Sequence, residues 1–182
     1  MIQMSVKNKI RLEIKNKFLS FSQDEMVEKT CLIQQLLNKQ ELFQKAKKIG
    51  SFIPIDFEPK ITISTDKEVY APFIKDEILG FGNISKGIVI GTYGILEPKS
   101  KEEVNIFELD IILVPLVGFN EKLYRLGRGK GLYDKTFVNI NSRTKLPVLW
   151  GVGFEMQKSN QNFQEKHDAK LDKIFTETRI YG

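Results

Sequence analysis

The residues with the clearest chemical content form one uninterrupted stretch, Arg125-Leu126-Gly127-Arg128-Gly129-Lys130-Gly131-Leu132-Tyr133-Asp134. Three basic side chains alternate with three glycines, directly after the apolar run Ile111-Ile112-Leu113-Val114-Pro115 and a short loop. Alternating glycines allow successive backbone N–H groups to turn toward one anion. A helix expected from about Lys130 to Ile140 would add the partial positive charge of its N-terminus. Together with Arg125, Arg128 and Lys130, the pattern describes a polyphosphate cradle. It is not a Walker A loop, because Gly131 and Leu132 follow Lys130 where that motif needs Ser or Thr, and it lacks the dinucleotide spacing G-x-G-x-x-G. Taken alone, the stretch also suits a flexible basic turn, including one that touches nucleic acid. Asp134 allows two readings: a carboxylate that shares Mg²⁺ with substrate phosphates, or an acid that favours the first turn of a helix.

The charge distribution adds a second basic region. The chain has 182 residues and a net charge of +5. Residues 120–145 carry +5 and residues 1–20 carry +4, so the rest of the chain is −4. Two basic regions on a slightly acidic body suit an anionic ligand held by both, although two solvated basic surfaces would have the same composition. In the first region Val6, Ile10, Ile14 and Phe18 recur every fourth residue, as on one face of a helix. Lys7, Arg11 and Lys15 form the neighbouring stripe, where like charges four apart repel. An anion facing that stripe would relieve the repulsion.

These residues must be positioned by the elements around them. Ser22-Gln23-Asp24-Glu25 is a capping-box pattern that opens a second helix running to about Asn38, and residues 41–47 suit a short third one. The periodicity then changes. Strands are expected at 49–55, 69–73, 78–81, 88–90, 111–114, 146–154 and 173–178. Continuous apolar runs such as 111–114 belong to strands buried on both faces. Their alternation with helices predicts an α/β fold, a three-layer α/β/α sandwich around a mainly parallel sheet with the N-terminal helices packed on it. One domain over residues 1–182 is expected. The single cysteine, Cys31, excludes an intrachain disulfide and is read as a small core residue. Trp150 is likewise read as core, and Lys45, Lys47 and Lys48 as a solvated face. No run approaches a membrane span, and no signal-peptide pattern opens the chain, so a cytoplasmic protein is expected.

The stretch Asp110–Pro115, Gly118-Phe119 and Arg125–Asp134 resembles the signature of the 5-formyltetrahydrofolate cyclo-ligase family. Other segments agree in order: Lys7 with Arg11, Glu58 after the first strand, Tyr93-Gly94-Ile95-Leu96-Glu97-Pro98, and His167-Asp168 with Asp172. Leu132-Tyr133 stands where many members have two tyrosines, and Tyr93 where some have Trp. The resemblance implies an ATP- and Mg²⁺-dependent enzyme acting on 5-formyltetrahydrofolate to give 5,10-methenyltetrahydrofolate, ADP and phosphate. It implies that residues 125–133 and the pair Lys7 and Arg11 hold ATP. Within that loop Leu126, Gly127, Gly129, Gly131, Leu132 and Tyr133 would contact the nucleotide, while Arg125, Arg128 and Lys130 would carry the phosphoryl chemistry. By the same resemblance Ile53, Glu58, Tyr93 and Tyr133 line the folate pocket, and Asp134 and Asp168 hold Mg²⁺. No general base is assigned. His167, the lone histidine, is read as orienting Asp168 or as solvated.

The partners expected are therefore 5-formyltetrahydrofolate and ATP, with no nucleic acid, no membrane and a monomeric chain. A nucleic-acid binder using the basic loop would need clustered aromatics for stacking, whereas the phenylalanines here are spread along apolar stretches. An ATP-dependent enzyme of the same fold with another substrate would share the cradle and differ around Ile53, Glu58 and Tyr93. An inactive folate-binding homologue would not need Lys7, Arg11, Arg125, Lys130, Asp134 and Asp168 all in place.

Overall fold

In the computed structural model, residues 4–91, 94–138 and 147–182 are described. The chain opens with α1 (Val6–Phe18), α2 (Gln23–Asn38) and α3 (Glu41–Lys45). Ser5 caps α1 by accepting the Asn8 N–H, and Ile10, Ile14 and Phe18 form its buried face. Ser22 and Glu25 close the capping box of α2 reciprocally, satisfying two N–H groups that the helix itself leaves unpaired. β1 (Lys48–Gly50), β2 (Glu68–Lys75), β3 (Ile78–Asn83), β4 (Ile88–Ile90), β5 (Leu96–Pro98) and β6 (Ile111–Pro115) follow. The remainder is β7 (Gly118–Phe119), β8 (Arg125–Leu126), α4 (Leu132–Phe137), β9 (Val148–Val152), β10 (Lys173–Phe175) and β11 (Ile180–Tyr181).

Among the described residues the main sheet has seven strands in the order β11-β10-β9-β6-β1-β2-β3. The five central strands are parallel, and each edge strand, β11 and β3, pairs antiparallel. Side chains alternate across the sheet with period two. Ile111 and Leu113 join Trp150 and Phe175 against α1, α2 and α3, while Ile112 and Val114 join Leu149, Ile174 and Phe137 of α4 on the other face. The result is the expected layered α/β arrangement with a mainly parallel sheet and the N-terminal helices on one face.

Three expectations change. The strand expected at 49–55 ends at Gly50 in the sheet: Ser51 still donates to Tyr70, and the chain then turns away. The helix expected to run to Ile140 is the six-residue α4, capped by Gly131 at φ +67°, and residues 139–146 lie outside the described residues. So short a helix contributes little dipole, and the electrostatics of the loop rest on its side chains. Cys31 is exposed, not core, because it falls on the solvent side of α2 opposite buried Ile33 and Leu37.

α1 is also the element that carries Lys7 and Arg11, and Ile14 packs so closely on β7 that a side chain at Gly118 would collide with it. Ile14→Ala should therefore lower stability by about 2–5 kcal/mol in urea unfolding. Leu12→Ala, on the exposed face of the same helix, should stay within about 0.5 kcal/mol of wild type.

Candidate active site

β1 and β6 are neighbours in the sheet, but their chains leave in opposite directions: β1 leads to β2 on one side and β6 to β9 on the other. A parallel sheet opens a crevice at the carboxyl ends of strands where the order reverses. A cleft of about 1060 Å³ lies there. Phe52, Ile53, Ile55 and Glu58, which follow β1, form one wall, and Pro115, Leu116 and Val117, which end or follow β6, form another. Residues 125–135, the N-terminal turns of α1, the segment around His167 and Asp168, and residues of β2, β3 and β5 also line it. Typical ligand pockets hold about 300–1,000 Å³, so this cleft lies at the upper end of that range.

Lys7, Arg11, Arg125 and Arg128 each meet a partner at the cleft. Lys7 lies 2.9 Å from the buried Asp168 and 3.4 Å from Glu165. Arg11 donates its Nε–H to the Gly127 carbonyl at 2.8 Å and its Nη1–H to Asn8 at 2.6 Å, which ties α1 to the glycine-rich loop. Arg125, buried on β8, meets Asp134 at 3.0 Å and lies over the Tyr133 ring at 5.0 Å. Arg128 spreads its guanidinium over Asp56 at 2.9 Å, Glu58 at 3.2 Å and the Ile55 carbonyl at 3.3 Å. Gly129, at φ +108°, has the Arg11 guanidinium against it, a conformation and a closeness that suit glycine.

The Arg125 contact to Asp134 is close in distance but poorly aligned, so Nη2 makes no hydrogen bond there, and among the described residues Nε has no hydrogen-bond partner. A buried guanidinium with donors left over is costly unless an anion takes them. Burial lowers the Arg11 pKa. Burial also holds the Glu58 carboxyl above the ordinary carboxylate range, because desolvation outweighs the Ile55 N–H it accepts and the attraction of Arg128. Tyr133 is pushed far up by burial and then by the charge of Glu58, which keeps its phenol neutral.

The residues also suit a hard divalent cation. Asp134 accepts the Ala169 N–H at 3.2 Å, so it sits beside the backbone that carries Asp168. Ligand atoms of Glu165, His167 and Asp168 lie within 4.8 Å of one another. Oxygen donors of this kind hold Mg²⁺ together with phosphate oxygens. Here Lys7 and Arg125 balance the two aspartates.

The model of the 5-formyltetrahydrofolate cyclo-ligase family matches residues 3–177. The chain belongs to that family. It is 29% identical over 174 residues to the 5-formyltetrahydrofolate cyclo-ligase of Mycoplasma pneumoniae, covering 94% of this chain and 98% of that one. The mouse protein of that name is 24% identical, with 95% and 94% covered. The solved 5,10-methenyltetrahydrofolate synthetase of Aquifex aeolicus superposes with a TM-score of 0.80 at 25% identity, over 97% of this chain and 92% of that one. Family membership makes the chain an enzyme of the cyclo-ligase class.

Within this cyclo-ligase fold, the cleft gathers most of the residues singled out in the sequence. Lys7, Arg11, Ile53, Glu58, Asp168 and all of residues 125–134 line it. Tyr93 lies outside the described residues, as do Arg143 and Lys145. Lys15 is exposed on α1. Two acids of the signature segments are structural: Asp110 accepts the N–H groups of Lys47 and Lys48, and Asp172 accepts that of Leu149. His167 is largely solvent-exposed, 3.2 Å from Glu165. The sequence reading missed Asp56 and Glu165, since nothing local marks an acid that meets a cation from a distant segment. It also passed over Glu97, which is fully buried. Glu97 accepts the Ile74 N–H at 3.2 Å, lies 2.9 Å from Lys101, and fills the space a side chain at Gly91 would need. An acid between Leu96 and Pro98 in a quoted segment was the available signal.

A carboxyl whose folded pKa is raised contributes stability below its unfolded pKa and loses it as pH rises through the folded value. At neutral pH the Glu58 carboxylate therefore opposes folding. Glu58→Gln should melt above wild type at pH 7, and the gap should close as the pH is lowered through the carboxylate range. Scanning calorimetry across that range measures it.

Proposed function

We propose that the chain catalyses the ATP- and Mg²⁺-dependent closure of 5-formyltetrahydrofolate to 5,10-methenyltetrahydrofolate, releasing ADP and phosphate. The carrying observation is the buried Arg125, with donors left over, among the residues that line a cleft of about 1060 Å³ in a chain of this family. In this reading Lys7, Arg11 and residues 125–133 hold ATP. Ile53, Glu58, Tyr93 and Tyr133 bind the folate, and Glu58 accepts hydrogen bonds from the pterin. The neutral phenol of Tyr133 suits a donor beside it.

The formyl oxygen attacks the γ-phosphorus and ADP leaves. Nitrogen 10 then attacks the formyl carbon and loses its proton, the C–O bond to phosphate breaks, and the methenyl bridge forms. Phosphorylation converts a poor leaving oxygen into a good one. Little covalent work falls to the protein in such a transfer, so positioning and charge stabilisation dominate. Arg125, Arg128 and Lys130 face the charge that develops on the transferred group. Asp134 and Asp168 would hold a magnesium ion, which supplies further neutralisation of the phosphates. Lys7 and Arg125 must exchange their carboxylate partners for phosphate as that happens. A cytoplasmic, monomeric enzyme completes the proposal. Its support is the absence of an intrachain disulfide, and among the described residues no helix is long and apolar enough to cross a membrane.

The assay is direct: purified protein, 5-formyltetrahydrofolate and Mg-ATP, followed by the near-ultraviolet absorbance of the methenyl product. The band should grow only with both ATP and Mg²⁺. No band from folded protein that binds ATP would leave an ATP-dependent enzyme of different substrate. Lys130→Ala should abolish turnover while circular dichroism stays native, and wild-type rates would remove Lys130 from the mechanism. Asp168→Asn should shift the Mg²⁺ titration to higher concentration, and an unshifted curve would separate Asp168 from the metal.

A further inference from the structure

Arg128 stands apart from the other cations of the cleft in what it holds. Its guanidinium reaches from the glycine-rich loop across to the turn after β1, meeting Asp56, the Ile55 carbonyl and Glu58 together. The contact therefore joins the segment read as the phosphate cradle to the segment read as the pterin site. Glu58 is held at both oxygens: Oε2 accepts the Ile55 N–H at 3.0 Å and Oε1 faces Arg128 at 3.2 Å. A ligand that donates to Glu58 Oε1 competes with Arg128 there, and a phosphate that draws in Arg128 competes with Glu58 and Asp56.

We propose that the Arg128–Asp56–Glu58 contact is a latch that couples the two substrate sites, with Asp56 as the positioning residue that keeps it closed. The inference rests on the folate and ATP assignments above. Each ligand competes for the same contact, so the first to bind bears the larger part of the cost of loosening it and the second bears less. Such a shared cost makes each ligand tighten the other by the same factor. Asp56 suits this role because it touches neither ligand in the assignment, and among the described residues the side chain it holds is Arg128. Arg128 and Asp56 are about half exposed, at 49% and 59%, so the latch is weak enough to open in each cycle. The glycines on either side of Arg128 give its backbone the freedom to re-aim.

The test uses isothermal titration of the intact protein with the non-hydrolysable probe β,γ-imido-ATP and Mg²⁺, with and without saturating 5-formyltetrahydrofolate. Wild type should bind the probe more tightly when the folate is present. Asp56→Asn removes the charge yet suits the positive φ of +54° at this position. It should tighten probe binding to the folate-free protein by about 1.4- to 5-fold, the range of an exposed ion pair. With folate saturating, variant and wild type should bind alike, so the coupling factor shrinks. Asp56→Gly, which also accepts positive φ, should reproduce the effect. Unchanged probe affinity in both variants would overturn the latch. Equal weakening with and without folate would overturn it too, by making Asp56 a fixed part of the phosphate site. If 5-formyltetrahydrofolate binds neither wild type nor variant, the folate assignment fails and the coupling falls with it. A folate that binds without changing probe affinity would leave that assignment standing and overturn the latch alone.

Discussion

Charge balance in a partly buried crevice is the constraint on which the site depends. Six Lys and Arg side chains line the cleft at the carboxyl ends of β1 and β6, and a bare cation removed from water is costly. The fold answers with acids and carbonyls from every neighbouring segment: Asp168 and Glu165 for Lys7, Asp134 for Arg125, Asp56 and Glu58 for Arg128, and the Gly127 carbonyl for Arg11. These partners come from the turn after β1, from α4 and from the C-terminal segment, so the same contacts that balance charge also close the molecule around its cleft. Removing one partner from a buried pair is more costly than the pair is worth, which ties the site to the integrity of the fold around it.

The balance is incomplete at several points, Arg125 and Glu58 among them. Among the described residues Arg125 keeps donors without hydrogen-bond partners, and burial raises the pKa of Glu58. Both face the cleft. Stability alone would favour a neutral or fully satisfied group at each, so these are the places where structure is held against its own preference in a way a ligand could relieve. The signature acids Asp110 and Asp172 behave oppositely. Each accepts backbone N–H groups at strand ends, so their place in the signature reflects the sheet and not the chemistry. A motif therefore mixes groups that build the crevice with groups that face into it.

The helices were legible from local rules. The capping box fixes the start of α2, and fourfold spacing fixes the buried face of α1 at Ile10, Ile14 and Phe18. β6 was legible as a continuous apolar run, buried on both faces as a central parallel strand must be. Less was legible where pairing decides. β7, β8 and β11 are two residues long, and each exists only because a partner strand lies beside it. Residues 51–55 carry the apolar character of a strand, yet beyond Ser51 they leave the sheet to line the cleft. Cys31 looked like core because its neighbours are apolar, but a helix places residues by angle, and its angle is the solvent side.

The sequence by itself determined the layered α/β class, the basic loop with its glycines, and the family to which both belong, because these depend on residue type and spacing along the chain. Only the tertiary structure decided which acid meets which cation. Arg128 and Asp56 are 72 positions apart and Lys7 and Asp168 are 161 apart. No local pattern encodes either meeting. Both follow from a sheet order that reverses between β1 and β6 and brings the carboxyl ends of distant strands to one crevice.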